Sequence, residues 1–252
     1  MRPAERPKYG GLNLMGHTDG ASPRFGSSYL VLHARVTQRC TLTWGDSHLG
    51  PEHVGTVEVL EPLLAALLEG VEATGSALGV SGLDVPRLLD RLSTCAARAA
   101  EDPAGADPGR ALDTYIEAQV HGDVDLSTDV EALVVDPSFD GTPTGDRLGE
   151  LSARYGVPLR RHAGFALPAG EVPADFRGPL MVPLARRVDE AGRRGVGLAD
   201  AAAIGRAAAD LRDAPERWQD LGTPGDCWQL QKQLWHVLVR FGRRYSLSLN
   251  GM

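Results

Sequence analysis

Apolar and polar residues alternate strictly through one part of the chain. In YIEAQVHGDVDL, residues 115–126, Ile116, Ala118, Val120, Val124 and Leu126 take even positions, and Glu117, Gln119, His121, Asp123 and Asp125 take odd ones. This period of two predicts a half-buried strand. It sets Glu117, Gln119 and His121 on one face, about 6.6–6.8 Å apart from one to the next. VEALVV, residues 130–135, is nearly all aliphatic, ends at Asp136-Pro137, and predicts a buried strand that Asp129 and Glu131 lead into. SYLVLHARV (28–36), CTLTW (40–44) and VPLRRHAGFAL (157–167) predict further strands.

Helical spacing appears in LEPLLAALLEGV (60–71) and VPRLLDRLSTCAARAA (85–100), each with a proline in its first turn. DRLGELSARY (146–155) predicts a helix closed by Gly156. Two late helices are expected over 198–211 and 227–244, the second with Leu230, Leu234, Val237, Leu238 and Phe241 as its apolar stripe. Tyr9-Gly10-Gly11 and Thr18-Asp19-Gly20 carry turn signals, EDPAGADPG (101–109) and SFDGTPTGD read as loops, and a proline-rich crossing leads to 180–184. Helix pairs fall between strands without a regular strand–helix alternation. The expected class is therefore α+β, a mixed or antiparallel sheet core with flanking helices and an α-helical C-terminal segment. The expected division is a ligand-binding or catalytic domain over 1–185 with a helical segment over 186–252 packed on it.

Composition narrows the function. The 252 residues suffice for a real core, and the net charge of −7 argues against broad nucleic-acid binding, which needs a positive footprint. Lys8 and Lys232 are the only lysines, an arginine bias of the kind GC-rich bacterial genomes produce. Cys40, Cys95 and Cys227 are far apart and form no CxxC pair, so neither a zinc knuckle nor a disulfide framework is indicated. No apolar run of signal-peptide or membrane-spanning length occurs, and a cytoplasmic protein is expected.

Four stretches could carry chemistry. SPRFGSSYLVL (22–32) leads from a turn into a strand headed by Ser27, Ser28 and Tyr29, offering hydroxyls and a ring face to a planar polar ligand. The bland alternative is a surface turn with an edge-strand tyrosine. GDSHLGPEH (45–53) gathers Asp46, His48, Glu52 and His53, which suit metal or acid–base work but equally cap a turn. Glu117, Gln119 and His121 either look into a cleft or face water. Glu131 entering a buried strand is costly unless paired or functional. Arg160, Arg161, His162 and Arg177 could balance these carboxylates or meet a phosphate.

The set KYGGLNL, GASPRFGSSYLVL, WGDSH, YIEAQVHGDVDL, DVEALVVDPSF and FRGP, spanning about residues 6–190, resembles an uncharacterised bacterial domain-of-unknown-function family frequent in actinomycetes. That resemblance implies a further block upstream of Met1, and so an N-terminal strand absent from this chain. A looser resemblance is to ADP-ribosyltransferases. FGSSYL looks like their Ser/aromatic element, which implies Ser27, Ser28 and Tyr29 as nicotinamide-side residues. DVEALVVDP looks like their Glu-bearing strand, which implies Glu131 as catalytic carboxylate and Asp129 in the partner position, an Asp where the pattern has Glu or Gln. An alternative mapping uses Glu117 or Gln119. The first element, an Arg or His, has only Arg6 and His17 to fill it.

The leading expectation is thus an ADP-ribosyltransferase-like domain, active or degenerate. It would bind NAD through Ser27, Ser28, Tyr29, Gln119 and Asp129, and act through Glu131, Glu117 and His121 on an unidentified acceptor, with no metal. Two other readings stand beside it. One is a metal-assisted hydrolase using Asp46, His48, Glu117 and His121. The other is a non-catalytic interaction module with its polar strand turned to a partner or to water.

Overall fold

The computed structural model describes residues 6–95, 97, 109–191 and 197–244. The end of the second expected helix and nearly all of the loop 101–109 lie outside the described residues. The chain forms two compact units: one of residues 1–135 and 144–162, the other of 136–143 and 163–252. The chain passes between the units after residues 135, 143 and 162, not at the 185/186 point read from the sequence.

The first unit holds two small sheets. One has the order β1-β7-β3-β4, with β1 at Lys8–Gly11, β3 at Cys40–Trp44, β4 at Val54–Gly55 and β7 at Ile116–Val120. All its pairings are antiparallel. β7 lies between β1 and β3, and Glu117 stands opposite Gly11 on one side and Thr43 on the other. The other sheet has the order β2-β8-β9, with β2 at Tyr29–Leu32, β8 at Val130–Val135 and β9 at Leu159–Arg161. β2 runs antiparallel to β8, and β9 parallel to it. Between β8 and β9 comes α3, Pro143–Tyr155, stopped by Gly156 in the left-handed region. A hairpin, β5 (Ser76–Ala77) with β6 (Val80–Ser81), turns on Leu78 and Gly79, both at positive φ.

The alternation over 116–120 has a definite outcome. Ile116, Ala118 and Val120 join Leu42 in a core with Leu63, Leu67 and Val71 of α1 (Glu61–Thr74) and Leu88 of α2 (Val85–Ser93). The odd face is buried too: Glu117 is 5% and Gln119 8% exposed. The strand is buried on both faces, not half-buried.

The second unit is mainly helical. α4 (Met181–Ala191), α5 (Ala201–Asp213) and α6 (Pro224–Phe241) bury Leu184, Val188, Ala203, Ala207, Leu211, Leu234, Val237 and Leu238 together. Asp200 caps α5 by accepting from Ala203 N at 2.7 Å, and Thr223 with Asp226 forms a capping box on α6. A two-stranded ribbon, β10 (Leu167–Pro168) with β11 (Leu198–Ala199), lies beside them in sequence and pairs antiparallel.

Five expectations change. The strand read over 28–36 stops at Leu32, and Ala34–Arg39 forms 3-10 helix. KYGG reads as a turn by composition, yet it is strand β1, its glycines tolerated because the backbone pairs with β7. The 157–167 strand divides into β9 and β10, with Gly164 at positive φ between them. α4 falls where Pro179 and Pro183 suggest irregular crossing chain, but Pro183 sits in its first turn, where no donor is lost. Residues 198–199 form a strand, so α5 begins at the Asp200 cap and not at Leu198.

Candidate active site

A cavity of about 980 Å³ lies within the first unit, lined by residues of both its sheets and of α3. Its apolar wall includes Leu32, Val124, Leu126, Leu133, Leu148 and Leu151. Its polar residues include Lys8, Asp19, Ser28, Tyr29, Asp46, His48 and Glu117. Tyr9 and Phe25, 68% and 58% exposed, also line it and offer ring faces at the solvent side.

Close backbone approach shapes the part nearest Glu117. Gly11, its cross-strand neighbour, has no room for a side chain: a Cβ there would stand 2.8 Å from Ala21 Cβ and 3.1 Å from Ser22 Oγ. Gly20, at φ +85°, lies against the ring of Tyr29, which a Cβ would meet at 3.3 Å. The Tyr29 hydroxyl donates to Thr18 O at 2.7 Å. Burial raises the Tyr29 pKa well above the ordinary phenol value; the Asp19 charge adds to the rise and Arg160 opposes it. Asp19 is itself fixed, accepting from Gly109 N at 2.7 Å and Arg110 N at 3.0 Å. Buried His162 places the turn before β2, its Nε2 donating to Ser27 O at 2.6 Å.

Glu117 does not stand alone. Its Oε1 accepts from Gln119 Nε2 at 2.5 Å, and that nitrogen also reaches Thr43 Oγ1 at 3.4 Å. A buried carboxylate without such a donor would carry a large desolvation cost. Gln119 therefore positions Glu117; it does not line the cavity itself.

The structure brings Ser28, Tyr29, Glu117, Asp46 and His48 to one cavity and leaves the other expected residues elsewhere. Glu131 corrects the sequence reading. Val31 pairs with Ala132 and Leu32 with Val130, so Glu131 is the unpaired residue of a β-bulge, and its side chain is exposed. The carboxylate does not enter the buried strand; the bulge turns it out to solvent. Asp129 is committed to the fold, accepting from Arg39 at 2.7 Å and from Asp125 N at 3.0 Å. His121 is exposed, its Nε2 2.7 Å from Thr41 Oγ1, away from the cavity lining. Ser27 offers the turn its carbonyl and is likewise not a lining residue.

Sequence reading gave too little weight to Asp46 and His48, whose spacing matches no metal signature. Their signal was the loop that directly follows β3. Among the described residues no three of His, Cys, Asp and Glu converge as a metal site, so Asp46, His48, Glu117 and His121 do not form one. Nor is any described helix long and apolar enough to cross a membrane.

Fold and site together define an α+β protein of small sheets whose first unit has a largely apolar cavity with the buried carboxylates of Asp19 and Glu117 in its wall. The chain belongs to the family described as "Protein of unknown function (DUF3626)", whose family model matches residues 1–241. No curated protein matches the sequence.

Proposed function

We propose that the first unit is an ADP-ribosyltransferase-like domain, that its cavity binds NAD, and that Glu117 is the carboxylate that acts on the nicotinamide–ribose bond. The observation that carries this reading is the convergence of Ser28, Tyr29 and Glu117 on one cavity. At about 980 Å³ the cavity is at the upper end of the usual range for cofactor-sized ligands. Of the two mappings left open by the sequence, this one takes Glu117 in place of Glu131.

The chemistry asks for these groups. Cleaving the glycosidic bond develops positive charge on the ribose, and a carboxylate held in a low-dielectric site stabilises that charge. Gln119 keeps Glu117 in place without competing for the ligand. The rings of Tyr29, Phe25 and Tyr9 offer stacking faces to the nicotinamide and adenine, Ser28 a hydroxyl to the carboxamide, and Lys8 a positive charge to the diphosphate. The interaction-module reading gains nothing from the strand, since Glu117 and Gln119 are buried rather than displayed on a convex face. The reading further takes the protein as cytoplasmic and of actinomycete type, the second of which its arginine-rich, lysine-poor composition supports.

Calorimetric titration of the purified chain with NAD tests the proposal. Saturable one-site binding, weakened about two- to tenfold in Tyr29→Ala by the loss of ring contact, is the expected result. No heat and no protection from thermal unfolding at millimolar NAD would remove the reading.

A further inference from the structure

A second polar pair lines the same cavity and has no part in gripping NAD. Gly45 N donates to Tyr115 O at 2.9 Å, which sets Asp46 beside Tyr115, two residues along the chain from Glu117. Asp46 then caps a turn of 3-10 helix, Ser47–Leu49, accepting from His48 N at 3.4 Å. Its Oδ1 also lies 2.5 Å from His48 Nδ1. A carboxylate can only accept, so Nδ1 carries the hydrogen and the Nε2 lone pair is left available.

Capping accounts for the contact to the backbone but not for the imidazole. The His48 side chain is 72% exposed and that of Asp46 24%, and both residues line the cavity. The hydrogen bond from His48 holds the Asp46 carboxyl below the ordinary range. The Tyr115 hydroxyl stands within reach of Asp46 and adds a smaller lowering of that carboxyl, while the Asp46 charge helps raise the Tyr115 hydroxyl. The charged groups on the cavity wall around His48 are Asp46, Glu117, Asp19 and Lys8, with Arg24 behind, over the Tyr115 ring.

We infer, resting on the reading of this cavity as an NAD site, that Asp46 and His48 form the general base of the transfer and that the acceptor attacks through a hydroxyl oxygen, that of water or of an alcohol. In this step the bond from C1′ of the ribose to nicotinamide breaks, and its electron pair leaves with the ring nitrogen, giving neutral nicotinamide. An oxygen lone pair of the acceptor forms the new bond to C1′. The hydroxyl proton passes to His48 Nε2 and from there to solvent, so charge and atoms balance. Glu117 and the Asp46–His48 pair line one cavity, which lets a sugar bound there meet both a stabilising carboxylate and a base that activates the attacking oxygen.

The test compares two acceptors on the full chain: water, which must lose a proton, and azide, which has none to lose. Nicotinamide release is measured by chromatography and NAD affinity by calorimetry. In water His48→Gln is expected to lose about 10²–10⁴-fold of the release rate with NAD affinity unchanged. Azide restores it to the wild-type azide rate, Asp46→Asn behaves the same way with a smaller loss, and Glu117→Gln is not restored. Loss of water and azide reactions alike in His48→Gln, or no loss at all, would overturn the base. A wild-type protein that binds NAD yet transfers to neither acceptor also overturns it while leaving the NAD site in place. A protein that binds no NAD removes the underlying reading and this inference with it.

Discussion

Tyr29 shows how one side chain is fixed by what lacks a side chain. Its ring covers Gly20, whose φ of +85° an L-residue adopts only at a cost, and its hydroxyl is tied to Thr18 O. Gly20→Ala adds left-handed strain of about 1–2 kcal/mol and also presses on the ring. Thermal unfolding should report that loss, and NAD affinity should fall in the same variant because the ring moves; an unchanged melting temperature would mean that the segment adapts freely. Glu117 is the opposite case, a polar group kept in the interior by one neighbour, Gln119, two residues along the same strand. The spacing of these two was legible in the sequence, as the odd face of an alternating run. Burial of that face was not, because alternation describes one covered side and says nothing about what covers the other.

Among elements, β8 explains why the sequence reading buried a glutamate that the fold leaves exposed. An aliphatic run entered by a carboxylate reads as a buried charge, whereas the actual strand inserts one extra residue and turns Glu131 outward. A bulge depends on the partner strand's register, which local pattern does not encode. The loop between β7 and β8 depends on Arg39, which donates to His121 O at 2.6 Å, Asp123 O at 2.7 Å and Asp129 at 2.7 Å. Arg39→Ala leaves those acceptors to water and costs about 1–3 kcal/mol. Hydrogen exchange should quicken over 121–129 while β8 stays protected; equal protection in both proteins would contradict this account. β1 went unread because KYGG has turn composition and its strand state comes from pairing with a segment more than a hundred residues away. The helices were legible except α4, where prolines at the start hid the apolar spacing of Met181, Leu184, Ala185 and Val188.

For the whole molecule, the α+β class follows from segments that declare themselves locally, whereas the cavity follows from how the two sheets of the first unit meet, which those segments do not encode. A bulk consequence concerns alkaline pH. Burial, and after it the Asp46 charge, push the Tyr115 hydroxyl up to about 12, and Tyr29 is raised as well. A phenol whose folded pKa exceeds its unfolded value near 10 favours the folded state fully below about pH 10. That contribution disappears as pH rises through the folded value, so the melting temperature should fall between about pH 10 and 12, and less steeply in Tyr115→Phe. A flat profile would contradict the burial of these hydroxyls. The central claim is that Glu117, not Glu131, is the carboxylate of an NAD-cleaving site, and nicotinamide release by the wild type, Glu117→Gln and Glu131→Gln tests it most directly. The account predicts release by the wild type, a loss of about a thousandfold or more in Glu117→Gln, and an unchanged rate in Glu131→Gln; release that survives in Glu117→Gln, or that disappears only in Glu131→Gln, would contradict it.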